Sequence, residues 1–152
     1  MDPKAALRYA LEATRERVLR CVQDLSEEEA GRVVYGLSPV VWQVGHVAFT
    51  DGQLLERAGR ASPVPESYAS LFGTGTGGQA AYPPLREVCA AFEAAHAALA
   101  QLLEAASVDA PVDARYFRTV GEMVAFSAYH RGYHVGKMTT LRSLLGKPRL
   151  FG

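Results

Sequence analysis

Apolar residues recur at three- and four-residue steps along four long stretches of this chain. That spacing places them on one face of a helix, so it predicts four amphipathic helices. Apolar and polar residues do not alternate with period two over any stretch, and we therefore predict no β-strand. The predicted helices cover about residues 3–25, 39–58, 84–106 and 119–145.

Capping residues mark where these helices begin and end. The pair Ser38-Pro39 predicts the start of the second helix, with serine as the N-cap and proline at the first helical position. Gly45 and Gly52 lie in the middle of that helix and predict the close approach of a neighbouring backbone. Two capping boxes are predicted at Ser26 with Glu29 and at Thr119 with Glu122.

The second and third helices are joined by a long connection, residues 60–84, in which glycine and proline are concentrated. We expect a helical turn at Tyr68–Phe72, and we expect the connection to cross the length of the molecule. Residues 73–78 match G-x-G-x-x-G, but without a preceding strand they favour a flexible loop, or a lid over a site, over a dinucleotide site. The fold class is therefore all-α: one domain, residues 1–152, forming a four-helix bundle with a long crossover connection.

The composition is that of an ordinary globular protein, with 49% hydrophobic and 21% charged residues among 152. Lys plus Arg and Asp plus Glu both number 16, so net charge gives no general attraction to nucleic acid or to anionic membrane. No secretory signal is recognised at the N-terminus, and no apolar run approaches the roughly 18 residues of a membrane span. We expect a cytoplasmic protein with no nucleic-acid or membrane partner.

Two histidines on the fourth predicted helix are the strongest chemical signal. His130 and His134 are four residues apart, so both project from the apolar face of that helix. Burying two neutral imidazoles is costly unless their nitrogens find partners, and a shared metal ion is one such partner. Arg131 stands where a zinc protease of the H-E-x-x-H type carries its glutamate, so that class is disfavoured.

His46, at the edge of the apolar face of the second helix, is the natural third ligand. Facing helices of a bundle can bring side chains to one interior point. Three histidines with an open coordination position suit a catalytic metal better than a closed structural one. The alternative is that these are hydrogen-bonded core histidines, and for His96, on the alanine-rich third helix, we prefer that interpretation.

Two segments resemble the DinB-like metalloproteins: residues 38–46 (SPVVWQVGH) and residues 129–146 (YHRGYHVGKMTTLRSLLG). The order of helices and loops agrees over nearly the whole chain. The S-P-x-x-W-x-x-G-H form is most similar to the N-terminal domain of ergothioneine-type sulfoxide synthases. Those enzymes have a further large domain that is not recognised in these 152 residues, so we do not expect their reaction here.

The resemblance implies a homodimeric four-helix bundle that holds a divalent transition metal, such as zinc, nickel or iron, on His46, His130 and His134. Relatives include S-transferases that use bacillithiol or mycothiol. We therefore expect a metal-dependent thiol S-transferase that takes a small-molecule substrate together with a low-molecular-weight thiol. A non-catalytic metal-binding stress-response module and a metal-dependent hydrolase are the alternatives. Relatives often carry a glutamine where this chain reads Val135-Gly136-Lys137, and a cation there would change the site or its cosubstrate.

Overall fold

The structure, a computed structural model, describes residues 2–78 and 81–151 of the chain. Within those residues the chain forms six helices and no β-strand, apart from two isolated bridges. The four long predicted helices are all present, so the all-α prediction is confirmed. The helices are α1 (Pro3–Val22), α2 (Glu27–Gly31), α3 (Val40–Arg57), α4 (Tyr68–Phe72), α5 (Leu85–Ala105) and α6 (Val120–Leu144).

The predicted helix starts are partly correct. The capping box at Ser26 and Glu29 is complete, since each side chain accepts from the other residue's backbone N–H, at 3.1 and 2.9 Å. It begins the short helix α2, and α1 therefore ends at Val22 rather than near residue 25. At the start of α6, Thr119 accepts from the backbone of Glu122 at 3.2 Å, but the Glu122 carboxylate accepts from Arg118 instead of completing the box.

The predicted cap of the second long helix is wrong. Helix α3 begins at Val40 with Pro39 as its N-cap, and no side chain caps it. The Ser38 hydroxyl lies against Gly77 of the long connection. The backbone carbonyl of Ser38 accepts a 3.1 Å hydrogen bond from Gln43 Nε2. The end of this helix is therefore held by Gln43, a side chain that also reaches the site described below.

The four long helices run in two directions. Helix α1 lies parallel to α6, because Arg131 bonds the carbonyl of Leu11 and Arg142, further along α6, bonds that of Cys21. Helix α3 runs antiparallel to α6, with Gln43 beside His134 at one end. Helix α5 packs against α3 and α1 and completes the bundle.

The connection between α3 and α5 runs back along α3. Its early residues lie against Gly52, α4 lies against Gly45 and its glycine-rich end lies near Trp42. Helix α5 then starts beside α2, where the Leu85 backbone donates to the Glu27 carboxylate at 2.9 Å. The helical turn predicted at Tyr68–Phe72 is confirmed as α4. At Gly45 and Gly52 the close neighbours are side chains, of Phe72 at the first, rather than the backbone that we predicted.

The apolar core consists of two clusters with a layer of buried polar side chains between them. One cluster surrounds Trp42 and Phe72, and the other surrounds Leu55 and Met123. We call the intervening residues the polar layer. Its members are Asp51, His96, Ser127 and Arg131.

Helix α5 is long and apolar enough to span a bilayer by length and composition alone, with a mean hydropathy of 1.2 over its best window. The expectation that no apolar run approaches that length was therefore too strong. The buried face of this helix includes Phe92, Leu99 and Leu103, which pack into the two clusters. A core helix of a globular bundle passes the same test, so the finding is weak evidence for a membrane span.

Candidate metal centre

Three histidines from two antiparallel helices meet inside the bundle. His46 comes from the middle of α3, and His130 and His134 come from successive turns of α6. Each offers one ring nitrogen, and the three nitrogens lie within 4.8 Å of one another. We call this group the histidine cluster. The three ligand candidates predicted from sequence are thus brought together, while His96 lies in the polar layer.

The backbone of α4 and the ring of Trp42 fix the orientation of His46. Nδ1 of His46 lies 2.7 Å from the carbonyl oxygen of Phe72. A carbonyl can only accept, so Nδ1 carries the proton and Nε2 keeps its lone pair. The indole of Trp42, one turn earlier, stacks on the imidazole with 4.7 Å between ring centroids and 9° between planes. The stacked indole and the hydrogen bond to Phe72 together fix the orientation of the His46 ring.

A buried glutamine orients His134 in the same way. Nδ1 of His134 lies 2.7 Å from Oε1 of Gln43, and both residues are buried. Gln43 in turn donates its Nε2 to the Ser38 carbonyl, which settles which end of the amide faces the histidine. Nδ1 of His134 is therefore the protonated nitrogen, and Nε2 is free to coordinate. Sequence reasoning missed Gln43, although its position three residues before His46 was the available signal.

The third imidazole, His130, has the unsatisfied nitrogen. Its Nε2 lies 3.1 Å from Nε2 of His134, and its ring stacks on Phe126. Among the described residues its Nδ1 has no hydrogen-bond partner, although the atom is buried. Such an unpaired buried atom is rare. The two nitrogens of an imidazole point in diverging directions, so an ion at Nε2 would not reach Nδ1. The case for an ion rests on the two Nε2 atoms that face each other.

Burial keeps all three imidazoles neutral. It is the largest cause that lowers the pKa of His130 to about 4 and of His134 to about 3. The neighbouring histidines and Lys137 lower both values further. Burial also lowers the pKa of His46, against an opposing hydrogen bond to Phe72. Near pH 7 the cluster therefore presents lone pairs rather than charged N–H groups, as metal ligands must.

One pair of ring nitrogens has the spacing that a transition-metal ion requires. Two imidazole nitrogens at about 2.0–2.1 Å from a tetrahedral zinc ion lie about 3.3 Å apart. The 3.1 Å between the Nε2 atoms of His130 and His134 is close to that value. The histidine cluster could thus hold a metal ion and leave one position for a water or substrate. Imidazole ligands suit zinc, iron, nickel and copper, so the donor set does not select among them.

Beside the cluster lies the polar layer, which sequence reasoning did not find. Arg131 and Asp51 are fully buried, and Arg131 Nε donates to Asp51 at 3.0 Å. Arg131 Nη2 lies 2.8 Å from the same carboxylate, close enough for an ion pair but without the alignment of a hydrogen bond. Ser127 donates to the other carboxylate oxygen at 2.7 Å. Arginine is almost never fully buried unless it is paired. The sequence does not show which residue would pair with Arg131, so its burial could not be predicted.

The glycine-rich segment 73–78 is hydrogen-bonded to Trp42, the residue that stacks on His46. Thr76 accepts a 3.1 Å hydrogen bond from the indole Nε1 of Trp42 and donates to the carbonyl of Gly73 at 2.7 Å. It therefore holds the ring that stacks on His46. No strand precedes this segment within the described residues, and α4 stands before it, so the nucleotide-site match has no structural support.

Comparison with protein families identifies a match. The sequence profile that describes the DinB superfamily matches residues 10–138, which include all three histidines. No curated protein matches the chain. The profile identifies the superfamily and does not distinguish a branch within it.

Proposed function

This chain belongs to the DinB superfamily, and from that premise we propose that it is a metal-dependent enzyme of the thiol S-transferase type. The observation that carries the proposal is the histidine cluster, in which three neutral imidazoles each offer a ring nitrogen and these nitrogens lie within 4.8 Å of one another. Three protein ligands leave the fourth position of a tetrahedral ion for a thiol. A divalent ion held there supplies a Lewis acid that favours the thiolate form of a bound thiol.

The reaction has a simple balance. The sulfur of a low-molecular-weight thiol forms a bond to carbon of an electrophilic substrate, and the bond from that carbon to its leaving group breaks. The thiol proton and the leaving group depart as an acid. The thiolate is the nucleophilic form, so the site must lower the pKa of the thiol.

The chain's own residues favour an anion at the cluster. All three ligands are neutral, and Lys137 is close enough to lower the pKa of each of them by charge repulsion. The Lys137 ammonium lies over the exposed ring of Tyr133, 4.6 Å from its centroid, and that ring stands edge-on to His134. A positive charge at this position stabilises a thiolate beside the cluster.

The protein's own cysteines do not supply the sulfur nucleophile. Burial raises the pKa of Cys21 and of Cys89 to about 11, so both are thiols near pH 7. Cys21 is buried and Cys89 is half-buried. A sulfur nucleophile therefore has to arrive with a small molecule.

The first experiment is elemental analysis of the purified protein and of variants in which each of the three histidines is replaced by alanine. We expect near-stoichiometric metal in the wild type and background metal in H46A, H130A and H134A. H96N is the matched control, because His96 is also largely buried and the asparagine amide oxygen can still accept from Arg131 in place of Nδ1. A wild type that neither contains metal nor takes it up in a titration would refute metal binding.

The second experiment tests thiol chemistry itself. Cobalt-loaded protein is titrated with cysteine or glutathione, and turnover is followed with chlorodinitrobenzene, from which chloride leaves as the carbon–sulfur bond forms. We expect a sulfur-to-cobalt charge-transfer band and thiol-dependent turnover, both absent from H134A. Stoichiometric metal without either signal would reject the transferase and retain metal binding.

The second candidate is a non-catalytic metal-binding module, and the depth of the site favours it. His134 is 3% exposed and His46 is 9% exposed, so access to an open position is narrow. The two candidates differ in whether an added thiol reaches the metal, which the cobalt titration decides.

We also propose that the protein is a cytoplasmic homodimer. Light scattering of the purified protein measures its mass in solution and is the direct test of the dimer.

A further inference from the structure

One buried side chain makes contact with all four long helices. Arg131 is carried by α6 and donates Nε to the Asp51 carboxylate on α3. Its Nη1 donates to the Leu11 carbonyl on α1 at 3.2 Å and to Nδ1 of His96 on α5 at 3.1 Å. The planar guanidinium can serve these partners together because its donors point in fixed, diverging directions.

Each partner is itself held. Asp51 receives a further hydrogen bond from Ser127 on α6, so two side chains of α6 bind one carboxylate of α3. His96 accepts from Arg131 at Nδ1, so its Nε2 carries the proton and faces the Glu12 carboxylate of α1 at 3.2 Å. The polar layer is thus a chain of oriented bonds from α3 through α6 and α5 to α1.

This layer lies next to the histidine cluster in both of the helices that supply ligands. Arg131 directly follows His130 on α6, and Asp51 lies little more than one helical turn beyond His46 on α3. The ion pair therefore joins α3 to α6 beside the level where their histidines meet. The distance from His46 to the two histidines of α6 is therefore set by the spacing between the two helices.

We infer that Arg131, bound to Asp51, is a positioning residue for the three-histidine metal site. It fixes the spacing and register of α3 against α6, and with them the distance from His46 to the two ligands on α6. Metal sites tolerate ligand displacements of only about 0.2 Å, so a small shift between the helices weakens coordination. This inference rests on the proposed metal binding.

The chain contains a matched control. Arg142 is also on α6, is 2% exposed, and likewise bonds a carbonyl of α1 and a carboxylate, those of Cys21 and Asp24. Among the residues that the structure describes, its side-chain hydrogen bonds go to Cys21, Asp24 and Pro148, and none goes to α3. Replacing it disturbs a buried arginine on the same helix without touching the α3–α6 spacing at the histidines.

The test compares Arg131→Lys with Arg142→Lys in cobalt(II) titrations of the full chain, with circular dichroism to confirm folding. Lysine keeps the charge but cannot reach the three partners at once. For R131K we expect cobalt affinity to fall roughly 10–100-fold, as for other residues that orient metal ligands, and the visible cobalt bands to shift. For R142K we expect a lower melting temperature with wild-type cobalt affinity and bands.

A second variant covers the case in which R131K does not fold. The double substitution D51L/R131M removes both charges, which leaves no unpaired ion in the core and is tolerated far better than removing one. It also removes the oriented bond between α3 and α6, so its cobalt affinity should fall as well.

The outcomes separate this inference from the proposed function. A wild type that binds no cobalt refutes metal binding, and the positioning role falls with it. Normal cobalt binding by the wild type together with wild-type affinity and bands in R131K, or in the folded double variant, overturns the positioning role alone. An equal loss of affinity in R142K also overturns it, because the effect would then follow stability and not the α3–α6 contact.

Discussion

The histidine cluster and the polar layer are neighbouring groups of buried polar side chains that differ in whether charged groups pair within them. In the polar layer, Asp51 and Arg131 neutralise each other and bond to further partners. In the histidine cluster, the Nδ1 atoms of His46 and His134 are hydrogen-bonded. The Nε2 atoms of His130 and His134 face each other at 3.1 Å. Paired charges stabilise and align the fold even though Arg131 Nη2 makes no hydrogen bond there. Two lone pairs that face each other at 3.1 Å instead indicate a shared ligand.

The largest effect should come from breaking the polar layer on one side only. Asp51→Ala leaves the fully buried Arg131 charge without its partner, and we expect the free energy of unfolding to fall by about 3–5 kcal/mol. Urea denaturation measures it. Glu104→Ala is the control, because Glu104 and its partner Arg8 are both about half exposed and an exposed ion pair contributes little stability. Equal losses would mean that the burial of Asp51 has no special consequence.

Metal bound at the histidine cluster should stabilise the protein against thermal unfolding. Metal at about a thousand times its dissociation constant should stabilise the protein by about 4 kcal/mol, and a chelator should remove that gain. Thermal unfolding with and without metal measures it. His134→Ala should abolish the metal-dependent gain while H96N, whose amide oxygen can still accept from Arg131, retains it. A gain that survives in H134A would place the metal elsewhere.

The residues that orient the ligands should matter to metal and little to folding. Gln43→Leu removes the acceptor for His134 Nδ1, and we expect metal affinity to fall roughly 10–100-fold. Competition with a chromophoric chelator gives the affinity. Gln53→Leu, at an exposed position of the same helix, should bind metal as the wild type does. Unchanged affinity in Q43L would show that this hydrogen bond does not support the site.

Two glycines near the cluster should respond in opposite directions. A Cβ on Gly45 would overlap the buried Phe72 ring, so Gly45→Ala should destabilise the protein by about 1–3 kcal/mol and disturb the carbonyl that holds His46. Gly132→Ala enters open space in α6 and should stabilise it by about 0.5–1 kcal/mol. Thermal unfolding of both variants checks the signs. A stabilising G45A would show that Phe72 can move aside.

The smallest effect concerns acid. Arg142, chiefly through its hydrogen bond, lowers the pKa of Asp24 in the folded protein. The pair therefore contributes stability above the unfolded pKa of about 3.9, and that contribution is lost as the pH falls through the folded pKa. Asp24→Asn should flatten the loss of stability below about pH 4, as followed by urea denaturation at several pH values. An unchanged slope would mean that water replaces the ion pair without cost.

Periodicity and capping residues were enough to predict four helices, the turn at Tyr68–Phe72 and the shared face of His130 and His134. Placing His46 opposite them needed the resemblance, because periodicity within one helix cannot tell which helix it faces. Gln43 lies three residues before His46, a spacing that could have assigned it to the site, but periodicity could not predict the Asp51–Arg131 pair. Asp51 and Arg131 are 80 positions apart, and only the packing of α3 against α6 makes them neighbours.

The crossover between α3 and α5 has a consequence for the order in which the site can form. The Phe72 carbonyl reaches His46 across 26 positions, but Gln43 and His134 are separated by 91. Contacts between residues so distant in sequence demand the largest loss of chain entropy and tend to form late in folding. Complete three-histidine coordination would therefore mark a chain whose last helix has already docked, and metal retention would report on the quality of folding.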